Sequence, residues 1–338
     1  MEDYHMQPKE LRRLGRSNIV VSAMGFGCWA IGGPAWRGDT PVGWGVVNDD
    51  ESVRAVRRAV DMGVNFFDTA NVYGAGQSET VLGRALHGLR DEVIIATKFG
   101  NGILDAQARQ IGGAFARPQE IRSQCEDSLR RLGTETIDLY QFHLGGHDLA
   151  EVPQILETLE ALVTEGKIRA YGWSTDDPER ARAFAAGAHC TAVQFQLNVL
   201  DDNPAMVDLC DELDLAGLNR GPLAMGLLTG KFTGEQTLGA DDVRGINSPV
   251  WMKYFQGGRP SPEWNRRVAA VRDILTSGGR TLAQGALAWL WARSPLMIPI
   301  PGFRTEAQVE ENVGALRYGP LTAGQMDEIQ KILSPDPA

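Results

Sequence analysis

What most constrains this chain is an alternation that runs from end to end: short, continuously apolar runs separated by stretches of helical periodicity. The runs are VSAMGFG (21–27), VNFFDT (64–69), VIIATK (93–98), IDLYQFH (137–143), IRAYGWS (168–174), TAVQFQ (191–196), LAGLNRG (215–221) and MIPIP (297–301). Parallel strands covered on both faces read this way, because both of their side-chain sets are buried. Between the runs, as at 118–132, Ile121, Cys125, Leu129 and Leu132 share one helical face with charges opposite. Helix starts are marked as well: Asn48 has Glu51 three residues on, Asp177 precedes Pro178, and Thr305 stands at capping-box distance from Gln308. Eight strand segments with intervening helices, and no linker rich in Pro, Gly or Ser, predict an α/β fold: one closed (β/α)8 TIM barrel occupying residues 1–338 as a single domain. RRLGRSNIVVS (12–22) predicts a short β-hairpin ahead of the barrel. The connections at about 99–117 and 230–262 predict long loops at its C-terminal face.

Charge and cysteine usage narrow the partners. A formal net charge of −10 repels nucleic acid and anionic membranes, leaving a small molecule as the expected partner. Cys28, Cys125, Cys190 and Cys210 are widely scattered, which predicts reduced thiols rather than a disulfide frame or a zinc site. The polar start MEDYHMQPKELRRLG lacks the apolar core of a signal peptide. The most apolar stretch, ALAWLWARSPLMIPIPGF, is interrupted by Arg293 and three prolines, so no membrane span is expected. These features predict a cytoplasmic globular protein and say nothing of its oligomeric state.

The polar residues then fall in a pattern. Asp68, Lys98 and His143 end three consecutive strand segments, and the C-terminal mouth of a barrel is where such ends converge. Tyr73 follows Asp68 by five residues, in the loop above that mouth. Singly, each is an ordinary structural residue: a cap, a half-exposed ring, a surface charge, a rim histidine. Placed together they suit the protonation of a developing alkoxide. The Tyr73 phenol is a weak acid whose ionised form is favoured by a neighbouring ammonium; Asp68 keeps Lys98 charged, and His143 is a hydrogen-bond donor or proton relay. None of them supplies hydride, so a nicotinamide cofactor is required. A metal-assisted barrel isomerase or hydrolase fits less well, since of five histidines only His143 ends a predicted strand.

Seven motifs in order resemble the aldo-keto reductase superfamily: FDTANVYGAGQSE (67–79), ATKFG (96–100), DLYQFH (138–143), IRAYGWST (168–175), VQFQLN (193–198), GPLAMGLLTGKF (221–232) and IPIPGFRTEAQVEENVGA (298–315). The resemblance implies NADPH (NADP+) lying extended across the barrel rim, reduction of aldehydes and ketones, and a catalytic tetrad of Asp68, Tyr73, Lys98 and His143. It implies cofactor contacts from Trp29, Ser174, Thr175 and Gln194 at the nicotinamide end. Arg220, Gly221, Pro222, Leu223, Gly226 and Lys231 would line the middle of the cofactor. Gly302, Arg304, Gln308, Glu311 and Asn312 would meet the adenosine end, with Arg304 beside the 2′-phosphate. A superfamily of this kind also admits an alternative, an NADPH-binding regulatory or sensor subunit with little turnover.

Three departures stand out. Thr175 replaces a usual Asn, Arg220 a usual stacking aromatic, and Gln196-Leu197 a frequent Glu-Tyr. Arg220 beside an oxidised, positively charged nicotinamide predicts weaker relative binding of NADP+. For the substrate pocket, Trp29, Trp36, Phe99, Trp251 and Phe255 are the candidate apolar residues, on loops expected at the mouth.

Overall fold

A computed structural model describes residues 11–232 and 236–334. Residues 1–10 and 233–235, which belong to the polar start and to the long connection 230–262, lie outside the described part. Eight parallel strands follow one another around a barrel in chain order: Phe26–Gly27, Phe66–Asp68, Ile94–Phe99, Ile137–Phe142, Ile168–Ser174, Cys190–Gln196, Ala216–Arg220 and Met297–Pro299. The first and last strands close it through Gly25 N–H to Pro299 O and Gly27 N–H to Pro301 O, both 3.0 Å. The apolar run 21–27 is in fact two elements. Val20–Ser22 pairs antiparallel with Leu11–Arg13 as the hairpin, and only Phe26–Gly27 enters the barrel.

Strand alternation sorts the side chains into two cores. One set (Phe66, Ala96, Leu139, Ala170, Ala192, Ala216, Leu218 and Ile298) packs inside the barrel, and Leu14, Ile19 and Val21 of the hairpin join it. The other set, including Phe67, Phe99, Tyr140, Phe142, Trp173, Val193 and Phe195, packs outward against the helices. On four strands the inward residue two positions further toward the C-terminal mouth is polar: Asp68 after Phe66, Lys98 after Ala96, Gln141 after Leu139, Gln194 after Ala192. The site is this polar layer resting on the apolar one.

The helices cap as their sequences predict. Asn48 accepts from Asp50 N–H and Glu51 N–H at the start of Asp49–Asp61. Asp177 accepts from Glu179 and Arg180 N–H ahead of Pro178–Phe184. Pro118–Leu132 buries Ile121, Cys125, Leu129 and Leu132 and ends at Gly133. Leu282–Arg293 is buried nearly all round, which accounts for the long apolar stretch seen in the sequence. Among the described residues no helix is long and apolar enough to cross a membrane. All four cysteines are buried free thiols.

The connection 99–117 is not irregular throughout. Its strands Gly102–Asp105 and Gln110–Gly112 form a four-stranded sheet with Trp36–Arg37 and Thr40–Pro41 from the first βα loop.

Candidate active site

Lys98 is fully buried and its ammonium is the hub. Nζ donates to Asp68 Oδ2 at 2.6 Å, to the Thr69 carbonyl at 2.7 Å and to Tyr73 Oη at 3.1 Å. Those acceptors use the three donors an ammonium has. Asp68 Oδ1 accepts from Gln141 Nε2 and Gln194 Nε2, each at 2.8 Å, so both carboxylate oxygens are engaged. Burial works to strip Lys98 of its proton, but Asp68 and then Tyr73 outweigh it and hold the ammonium above its ordinary range.

Tyr73 is placed by its loop. Gly74, Ala75 and Gly76 all have positive φ, and a Cβ on Gly74 would stand 1.9 Å from the Gly32 carbonyl oxygen. Only glycine allows that approach, which presses the Tyr73 loop onto the first βα loop. Ser78 Oγ adds a 2.7 Å bond to the Cys28 carbonyl. The Tyr73 ring stacks on Trp29 (centroids 5.9 Å apart, 27° between planes) and meets His143 edge-on at 5.9 Å. Burial pushes the phenol up from its ordinary value while Lys98 pulls it down, and burial wins. Lys98 acts in the expected direction, favouring the ionised phenol, but desolvation outweighs it and the net shift is upward.

Burial, then Lys98, Arg220 and Arg37, push His143 well below its ordinary 6.5, so the imidazole is neutral. A histidine depressed in the folded state leaves the unfolded chain as the stronger proton binder, so stability is full above pH ~6.5 and lost as pH falls. Melting temperature is accordingly expected to be flat near neutrality and to decline below pH ~6.5, with a shallower decline in His143→Asn. An unchanged acid slope in that variant would show that other groups cause it.

Asp68, Tyr73 and His143 border one groove with a cavity volume of about 1090 Å³, at the upper size of small-molecule pockets, and Lys98 lies buried behind them. Ser174, Gln194, Arg220, Gly221, Pro222, Leu223, Gly226 and Lys231 border it, as do Gly302, Arg304, Gln308, Glu311 and Asn312. The backbone of 221–230 is unusual: Ala224 and Met225 have φ of 48° and 56°, and Gly226 follows at 93°. Left-handed non-glycine residues cost roughly 1–2 kcal/mol each, and the turn closes on itself through Ala224 N–H to the Gly221 carbonyl and Gly226 N–H to the Leu223 carbonyl, both 2.9 Å. Cations gather beside it. Arg244 is buried, pairs with both Asp242 oxygens (2.9 and 2.8 Å), donates to the Met225 carbonyl at 3.1 Å and lies 4.5 Å from the Trp44 ring. Arg304 donates to the Trp44 carbonyl, and its own N–H is bonded by Gln308 Oε1 at 2.7 Å. Burial, then Arg244 and Arg304, hold the Lys231 ammonium below its ordinary range. The buried indole nitrogen of Trp44 has no hydrogen-bond partner among the described residues.

Several expected residues lie elsewhere. Thr175 does not border the groove; its hydroxyl donates to the Gly145 carbonyl at 2.8 Å and accepts from Asp177 N–H. Phe99 follows the inward Lys98, so alternation sends it outward, fully buried against Tyr140 and Phe142. Trp36 is off the groove for the same reason: its strand neighbour Arg37 borders the groove instead. Phe255, in the hairpin Phe255–Gln256/Arg259–Pro260, turns inward against Phe232 at 5.0 Å. Trp29 and Trp251 do border the groove, with centroids 6.3 Å apart. Arg220 is ion-paired with Asp176 and donates to Gln196 Oε1 at 3.2 Å, so a carboxylate offsets the charge that was to repel NADP+. Sequence reasoning gave no role to Gln141, although it stands two residues before His143 and so shares its inward face. It also missed Arg244, which no local pattern marks.

The fold and site together define a parallel (β/α)8 barrel with a buried cluster of ionisable residues at its C-terminal mouth, beside one long groove. A family model described as the aldo/keto reductase family matches residues 23–334. The aldo-keto reductase YhdN of Bacillus subtilis is 32% identical over 309 residues, 89% of this chain and 87% of the relative. A protein of Escherichia coli named NADH-specific methylglyoxal reductase is 30% identical, covering 90% of this chain and 92% of the relative. Among solved structures, the glycerol dehydrogenase AKR11B4 from Gluconobacter oxydans superposes with a TM-score of 0.80 at 30% identity, covering 98% of this chain and 99% of that one. The chain belongs to the aldo/keto reductase family.

Proposed function

We propose that the chain catalyses the NADPH-dependent reduction of aldehydes and ketones to alcohols, reversibly, with Tyr73 as the general acid. The observation that carries this reading is the buried ammonium of Lys98 bonded at once to Asp68 and to the Tyr73 oxygen. A carbonyl oxygen that gains negative charge beside Tyr73 Oη takes the phenol's proton, and the phenolate left behind faces Lys98 at 3.1 Å. Asp68, oriented by Gln141 and Gln194, keeps that ammonium charged and in place. Neutral His143, edge-on to Tyr73, orients the carbonyl by a hydrogen bond. In the reverse direction Tyr73 is the base.

The residues present fit a dinucleotide phosphate: a left-handed backbone run, three cations and an unpartnered indole N–H border one groove. Ser174 and Gln194 would hold the nicotinamide end, segment 221–231 the pyrophosphate, and Arg304, Gln308, Glu311 and Asn312 the adenosine end. NADPH supplies the hydride that no side chain of the site can provide. The preference over NADH rests on Arg304, since the Escherichia coli relative is by its name NADH-specific.

The test is a panel of activated aldehydes followed by nicotinamide absorbance with each cofactor. Turnover with NADPH exceeding that with NADH is expected, and Arg304→Leu should raise KM for NADPH roughly 10- to 100-fold with little effect on NADH. Cofactor binding without turnover of any aldehyde would instead favour a regulatory subunit.

A further inference from the structure

We propose that Arg37 selects carbonyl substrates carrying a carboxylate a short carbon chain away from the reacting group. The inference rests on the reductase reading and specifies its substrate class.

Arg37 lies on the strand Trp36–Arg37, in the small sheet that builds one wall of the groove. Its guanidinium Nη2 donates to Asn101 Oδ1 at 3.0 Å, and Asn101 in turn donates through Nδ2 to the His143 carbonyl at 3.0 Å. Asn101 is largely buried and is also the carbonyl acceptor for Asn71, so it is a fixed support rather than a surface partner. Arg37 is close enough to His143 for its charge to depress that imidazole. Of the other groove cations, Arg220 pairs with Asp176, Lys253 with Asp201 and Arg244 with Asp242, while Lys231 and Arg304 lie at the end assigned above to the cofactor's phosphates. Arg37 makes no ion pair among the described residues. Trp29, Val42, Val72, Ile111 and Trp251 contribute apolar side chains to the same groove.

An unmatched planar guanidinium with one donor anchored presents its remaining donors to a carboxylate, the geometry for which arginine is suited. The flanking apolar side chains exclude water once a carbon chain lies across them, and that strengthens the contact. A neutral substrate of the same shape leaves the charge solvated and gains nothing from it.

The experiment compares kcat/KM for 4-oxobutanoate against butanal, and for 4-carboxybenzaldehyde against benzaldehyde, at low salt with NADPH. The acid of each pair is expected to be preferred about tenfold, mostly through KM. Arg37→Met should bring both ratios close to one, and Arg37→Lys should retain part of the preference. Raising NaCl to about 0.5 M should compress the wild-type ratio and leave the Arg37→Met ratio where it is. A second arm needs no turnover: quenching of tryptophan fluorescence by benzoate, with benzyl alcohol as the neutral control, should be about tenfold tighter in wild type than in Arg37→Met. Acid-to-neutral ratios near one in wild type, or a preference and a benzoate affinity unmoved in Arg37→Met, overturn the proposal. If no aldehyde is reduced at all, the reductase reading fails, and the benzoate titration still decides the role of Arg37.

Discussion

Tyr73→Phe is expected to lower kcat for carbonyl reduction by roughly 10²- to 10⁴-fold while the Kd for NADPH moves by no more than about twofold. The substitution removes one oxygen and leaves the ring stacked on Trp29 and edge-on to His143. Lys98 loses one of three acceptors but keeps Asp68 and the Thr69 carbonyl, so its charge stays compensated and the fold should survive. What is lost is the hydroxyl bonded to that ammonium. Because burial raises the phenol, the acid stays protonated beyond its ordinary value of 10.0, and kcat/KM for reduction should be level from neutrality well into the alkaline range. Stopped-flow reduction and fluorescence titration of NADPH separate the two quantities. A variant that still turns over within a few-fold of wild type would remove Tyr73 from the chemistry.

The second large effect is on stability. Lys98→Met strands Asp68 inside the barrel with only two amide donors, and breaking a buried pair on one side typically costs about 3–5 kcal/mol. Turnover should be lost with it. The Asp68→Asn/Lys98→Met double variant removes both charges and should recover a large part of the stability, though none of the activity. That non-additivity is the signature of a directly coupled pair. Equilibrium urea unfolding of wild type, both single variants and the double variant measures it. Strictly additive losses would mean that the pair contributes nothing as a pair, and that Lys98→Met destabilises merely through packing. Lys98 is raised in the folded state, so its contribution is full below its ordinary 10.5 and fades only as pH climbs above it, outside the range of such an experiment.

How much of this was legible beforehand depends on whether the signal is local. The apolar runs recur because a parallel strand buried on both faces must be apolar, and the eight strands fall where those runs lie. Asp68, Lys98 and His143 could be aligned without coordinates, because strand alternation and a common barrel mouth place them on one rim. The same alternation, carried one step further, would have added Gln141 and sent Phe99 outward. Helix starts at Asn48, Asp177 and Thr305 were readable because a cap is a contact between residues two or three apart.

What the sequence by itself determined was therefore the closed parallel barrel and the line of polar residues at its rim, since both follow from periodicity over a few residues. Tertiary structure alone decided the rest. It set the rise of the Tyr73 phenol, the pairing of Arg220 with Asp176 and the turning of the Thr175 hydroxyl toward Gly145. It also placed Arg244 beneath Met225 and Arg37 beside Asn101. Each of these depends on which distant loop arrives at the site and how much water it displaces, and neither desolvation nor loop docking leaves a period in the chain.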